Sequence, residues 1–194
     1  MRISLTGLVL FVAVTASAGG QAVRATVAPT SRLWIEGTSN VHDWKCNAAT
    51  IDAKIDIDEA GLAAASTKLV RKASIRIPVA DLKCGNGKMD DNLRKALSAG
   101  THPDITYTLS TVEAQPGESK DEFILHTVGA LVIMGTEKSV TMDLIATRLA
   151  DGTIKATGTM PVTMTAYGVK PPKAMFGTIK TGDKVKVLVE LVVK

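Results

Sequence analysis

The sequence predicts an all-β fold, an eight-stranded antiparallel barrel with one short helix between strands, and three observations carry that expectation. Apolar and polar residues alternate in segment after segment, short turn signals join several of these segments, and a single stretch switches to helical spacing. Alternation turns one face of each strand toward an apolar interior and the other toward water. About eight such strands in one domain can remove their exposed edges by closing on themselves.

The chain opens with Met1, Arg2 and an apolar run from Ile3 to Ala16, ending in Ala16, Ser17 and Ala18. A charge, an apolar core and a small-residue A-x-A triplet mark a secretory signal peptide, so residues 1–18 are expected to be cleaved near Ala18, with Ala22 a second site. The run spans about 14 residues, short of the roughly 20 a membrane-crossing helix needs, and no cysteine near the cut offers a site for lipid attachment. The mature chain is therefore expected to have no transmembrane segment and to be periplasmic or secreted. Residues 19–30 lack a usable period and read as a flexible lead-in, with residues 31–194 forming one domain.

The first strand is expected around Trp34. Ile51, Ala53, Ile55 and Ile57 then alternate with Asp52, Lys54, Asp56 and Asp58, a half-buried strand. The same period runs through Ala73, Ile75, Ile77 and Val79, through Ile105, Tyr107 and Leu109, and through Glu122 to Met134. It continues in Val140, Met142 and Leu144, in Ile154 to Met164, and in Val185 to Val193. Gly135 before Thr136, Asp151 with Gly152, and Gly182 with Asp183 read as hairpin turns between strands.

The helix is read from Met89, Leu93, Ala96 and Leu97, which share one stripe at helical spacing. Asp90 and Asp91 stand at its start, Arg94 and Lys95 follow, and Gly100 and Pro103 end it. It reads as a lid or plug that covers apolar surface for packing alone, with a mobile gate to a cavity as the alternative. Gly85, Gly87 and Lys88 ahead of it suit a tight turn, because Met89 stands where a phosphate loop needs Ser or Thr. A weaker helical or looped stretch covers Gly61 to Ser66.

The formal net charge is +4, with basic residues scattered and aromatics few. Neither the basic stripe nor the stacking platform of a nucleic-acid binder is present. Cys46 and Cys84, the two cysteines, would enter an oxidising compartment and form a candidate disulfide; they lack the C-x-x-C spacing of a redox motif.

Motifs for chemistry are sparse. Asp56, Asp58 and Gly61 copy the opening of a calcium loop, but Ala60 stands at its fifth position and Thr67 at its twelfth, where calcium needs an acidic residue. His42, His102 and His126 lie far apart, so no metal site is expected, and no spacing marks a catalytic triad. His42 and Asp43 are neighbours whose side chains should point to opposite faces of a strand.

The interior is expected to be lined by Ile75, Ile77, Tyr107 and Leu109, by Phe123, Leu125, Leu131 and Ile133, and by Met142, Leu144, Met160 and Met164. The opposite parity of the Glu122 to Met134 segment would instead turn Ile124, Val128, Val132 and Met134 inward. A barrel of this size either fills its interior or leaves room for one ligand, and its methionines suit both.

Five motifs in order are similar to the YceI-like domain family from Ser31 to Lys194. These are S-R-L-W-I-E-G-T-S-N-V-H-D-W from Ser31, I-P-V-A-D-L from Ile77, M-D-D-N-L-R from Met89, H-P-D-I-T-Y from His102 and G-A-L-V-I-M-G-T-E-K-S-V-T-M from Gly129. The resemblance implies a lipocalin-like barrel, commonly periplasmic, some of whose members carry a polyisoprenoid chain inside. It implies a non-enzymatic binding or storage protein for an isoprenoid lipid or quinone, with no covalent cofactor. The polar head would lie at the mouth, where His42 and Tyr167 are the polar candidates.

Met134 departs from the family pattern, which often has His before the turn glycine. The two cysteines are an addition typical of part of the family, and a bridge would tie the first strand region to the start of the helix. Two other readings stay open: a stress-response factor or enzyme of unknown reaction using His42, Asp43 and Tyr167, and a plugged barrel acting through its surface with a membrane redox partner. A dimer is a further expectation.

Overall fold

The computed structural model of the protein describes residues 22–58, 70–174 and 177–194. The strands are β1 (Ala22–Ala25), β2 (Arg32–Ser39), β3 (Trp44–Ala48), β4 (Asp52–Asp58), β5 (Val70–Pro78) and β6 (Leu82–Lys83). After helix α1 (Gly87–Ala96) come β7 (Asp104–Pro116), β8 (Glu122–Ile133), β9 (Thr136–Arg148), β10 (Ile154–Thr163), β11 (Lys173–Ala174) and β12 (Ile179–Val193). The expected leader and the Gly61 to Ser66 stretch lie outside the described residues.

All pairings are antiparallel, in the order β1-β4-β5-β7-β8-β9-β10-β12-β2-β3-β6, with β11 paired to β12 off this path. The sheet curls into a half-barrel. The expectation of eight strands is thereby corrected to a path of eleven among the described residues. Each of the eight periodic segments does form a strand; the additional β1, β3, β6 and β11 hold two to five residues each. So few residues carry too little alternation to stand out in a sequence.

The lead-in is corrected as well. Ala22 to Ala25 pair with Asp58 to Ile55 of β4, and Thr26 and Lys194 exchange backbone hydrogen bonds at 2.7 and 2.9 Å. This segment therefore joins β4 to the C-terminal end of β12.

Met134 and Gly135 form the two-residue turn between β8 and β9, both at positive φ, 51° and 73°. That conformation matches the twist of the flanking strands. A side chain at Gly135 would meet the His102 ring at 3.0 Å, so His102 packs over this turn. Asp151 and Gly152 also turn between strands, as expected, with Gly152 at φ 82°.

Gly182 and Asp183 do not. Strand β12 runs straight through them, and its register against β2 shifts between Thr181 and Val185. The pair makes a bulge, where Gly and Asp are favoured for the same conformational reasons as in turns.

Helix α1 starts where the tight turn was read. Gly85 is at φ 78°, and the Asn86 side chain accepts from the amides of Lys88 and Met89, capping two otherwise unpaired donors. Ser98, at φ 49°, follows the C-cap Leu97. Cys46 of β3 and Cys84, three residues before α1, form a disulfide with an S–S length of 2.04 Å.

The main apolar core gathers Ile77, Val79, Leu82, Leu131, Met160 and Val162 beneath the helix. Two smaller clusters, around Ile55 and Leu191 and around Phe123 and Ala146, continue it toward the other end of the half-barrel.

Candidate binding cavity

Among the described residues, the interior includes two cavities of about 290 and 100 Å³. They abut, because Ile75, Tyr107, Met142 and Val189 line both. These four side chains come from β5, β7, β9 and β12, so they form a waist around the axis of the half-barrel.

The larger chamber lies at the helix end. Its walls include Ile77, Leu131, Ile133, Met160 and Met164, and one side is closed by Met89, Leu93 and Ala96 of α1 and by its C-cap Leu97. The stripe read as a lid is therefore a chamber wall. Both cysteines also line this chamber, and the disulfide fixes the start of α1 against β3.

The smaller chamber is lined by Leu109, Phe123, Leu125 and Leu144, among others; besides Tyr107, its polar lining residues are Thr127 and Arg148. Thr127 Oγ1 donates to the Met142 carbonyl at 2.6 Å, so its hydroxyl is satisfied by the wall itself.

Strand β8 settles the parity left open by its two apolar faces. Phe123, Leu125, Leu131 and Ile133 are buried, whereas Ile124, Val128 and Val132 on the opposite face are only partly so. The two abutting cavities hold all twelve side chains expected inside. Spacing alone missed the part of the lining that comes from β2 and β12, such as Leu33, Ile35, Val187 and Val189. The Val185 to Val193 alternation carried the signal for the last two.

Glycines set the width of the interior. A side chain at Gly129 would come within 2.5 to 2.6 Å of the Tyr107 ring, so this glycine gives the ring its place. Gly37 does the same for Trp44, whose indole nitrogen donates to the Thr38 carbonyl at 3.1 Å.

The polar groups of the larger chamber include Ser39, His42, Asn92, Lys173 and Thr181, and of these His42 and Lys173 are exposed, which locates a mouth. The His42 Nδ1 lies 2.8 Å from the Asp43 backbone oxygen, so the pair meets through the main chain. Tyr167 also lines the chamber, but it is only 4% exposed and belongs to the core; its expected place at the wet mouth is corrected on that ground. Burial raises the pKa of its phenol above the ordinary value.

The Tyr167 turn is held from outside. Asp183 accepts from the Thr165 amide at 2.9 Å and the Thr165 hydroxyl at 2.6 Å, fastening the Met164–Tyr167 turn to the bulge of β12. Both bonds stabilise the charged carboxylate and hold its pKa below the ordinary value, the hydroxyl first.

An antiparallel half-barrel around a two-chambered apolar interior is a lipocalin-like architecture. Residues 25–193 match the YceI-like domain, and the chain belongs to that family. Three solved structures share the fold. BcnA of Burkholderia cenocepacia superposes with a TM-score of 0.69 at 19% identity, covering 86% of this chain and 99% of its own. A polyisoprenoid binding domain from Saccharophagus degradans, implicated in plant cell wall breakdown, gives 0.63 at 14% identity, covering 90% and 99%. The Campylobacter jejuni YCEI protein gives 0.57 at 18%, covering 76% and 82%. No curated protein matches the sequence.

Proposed function

We propose that this protein binds and stores an isoprenoid-type lipid or quinone inside the half-barrel, as an exported, periplasmic protein. The observation that carries this reading is the abutting pair of apolar chambers. A hydrocarbon chain laid through them leaves water for a dry wall, which stabilises the complex by about 0.8 kcal/mol per buried CH₂ without specific polar contacts. The larger chamber approaches the lower end of the usual range for small-molecule sites, about 300 Å³. The family membership and the polyisoprenoid binding domain of S. degradans support the same class of ligand.

Export is supported by the N-terminal charge, apolar run and A-x-A triplet, and by a disulfide suited to an oxidising compartment. Among the described residues, no helix is long and apolar enough to cross a membrane. A binding role fits the site better than catalysis, because the cavity walls are overwhelmingly apolar and His42 is engaged with the main chain.

Adjacent positions of β9 test the reading. Met142 faces the waist, and Thr141, one residue earlier, is exposed on the opposite face. Met142→Trp should lower the affinity for a polyprenol at least tenfold in a fluorescence-displacement titration, and Thr141→Trp should leave it unchanged. Equal affinities for both variants would show that the chain binds elsewhere.

A further inference from the structure

The Tyr107 hydroxyl is a feature of the interior that a purely hydrocarbon occupant does not explain. Its oxygen is buried and makes no hydrogen bond to any described residue. The ring is seated by Gly129 on β8 and flanked across the sheet by Ile75 and Leu131, so the hydroxyl is held in place at the waist. A phenol hydroxyl both donates and accepts, and leaving it unpaired in an apolar interior opposes folding. Phenylalanine would fill the same slot without that cost.

Resting on the carrier reading above, we infer that Tyr107 is the hydrogen-bonding point for the bound lipid: the ligand carries a hydroxyl, ether or carbonyl oxygen that reaches the waist. Oxygenated isoprenoids are then selected over hydrocarbons of the same skeleton. The exposed polar groups at the mouth cannot impose this choice, because water competes for them there, whereas the Tyr107 hydroxyl is buried away from water.

The test compares wild type with Tyr107→Phe, using a polyprenol, a prenylquinone and the hydrocarbon matching the polyprenol skeleton as competitors for a fluorescent fatty probe. Wild type should prefer at least one oxygenated ligand over the hydrocarbon by roughly tenfold, the span of one well-made hydrogen bond. Tyr107→Phe should remove that preference and leave hydrocarbon affinity the same or higher. Without ligand, the variant should melt at the same temperature as wild type or above it.

A preference unchanged in Tyr107→Phe would overturn this inference and leave the carrier reading standing. So would a lower melting temperature of the ligand-free variant, which would give the hydroxyl a partner within the protein. Failure of wild type to bind any of the three ligands would overturn both.

Discussion

Asp183 shows how much one carboxylate at the edge of the cavity can organise. Its two bonds to Thr165 hold the turn that carries Met164 and Tyr167 into the larger chamber, and they depress its pKa in the folded state. A depressed folded pKa contributes stability that is present above the unfolded value, near 3.8, and lost as pH falls through the folded one. Wild type should therefore melt above Asp183→Asn at neutral pH, and the gap should close as the pH falls below the ordinary carboxylate range, read as thermal midpoints along an acid titration. A gap that stays constant with pH would mean the carboxylate's charge plays no part in holding the turn. Asp151 is depressed in the same way by the Thr153 amide and hydroxyl, so the wild-type acid limb holds at least two such contributions.

At the scale of elements, the helix is fixed from both ends of its role. Its apolar stripe builds a chamber wall, and the disulfide ties its start to β3 across a sequence separation of 38 residues. Closing a loop of that span restricts the unfolded chain by roughly 4 kcal/mol in the loop-entropy picture. Cys46→Ala with Cys84→Ala should lower the denaturant midpoint accordingly, and amide exchange should speed up first in α1. Protection in α1 equal to wild type would show that the stripe alone holds the wall.

Most elements were legible in the sequence because each long strand repeats its alternation several times, as Ile51 to Asp58 and Val185 to Val193 do. The helix was legible from one stripe and a glycine turn. What stayed hidden was short or two-faced. Lys173–Ala174 and Leu82–Lys83 are too brief for a period, and Gly182 with Asp183 carries turn chemistry that the fold uses for a bulge. Strand β8 is apolar on both faces, so only packing could choose Phe123 over Ile124. Tyr167 was legible as a polar group and not as a buried one, since nothing local to it shows that a 3-10 turn will carry it inward.

For the whole molecule, the consequence of these parts is an interior that does not close up. Side chains from β5, β7, β9 and β12 meet at the waist without filling the space on either side. Among the described residues, eight long strands supply the wall, β1, β3 and β6 extend its edges, and α1 covers one end. An apolar lipid held there would be shielded from water during transit through an aqueous compartment. The most direct measurement is native mass spectrometry of the purified protein, before and after incubation with polyprenols and prenylquinones, followed by organic extraction. The expected result is a complex of one lipid per chain whose extract is an isoprenoid-type molecule. A bare protein mass that stays unchanged after every incubation would contradict a lipid-carrying half-barrel.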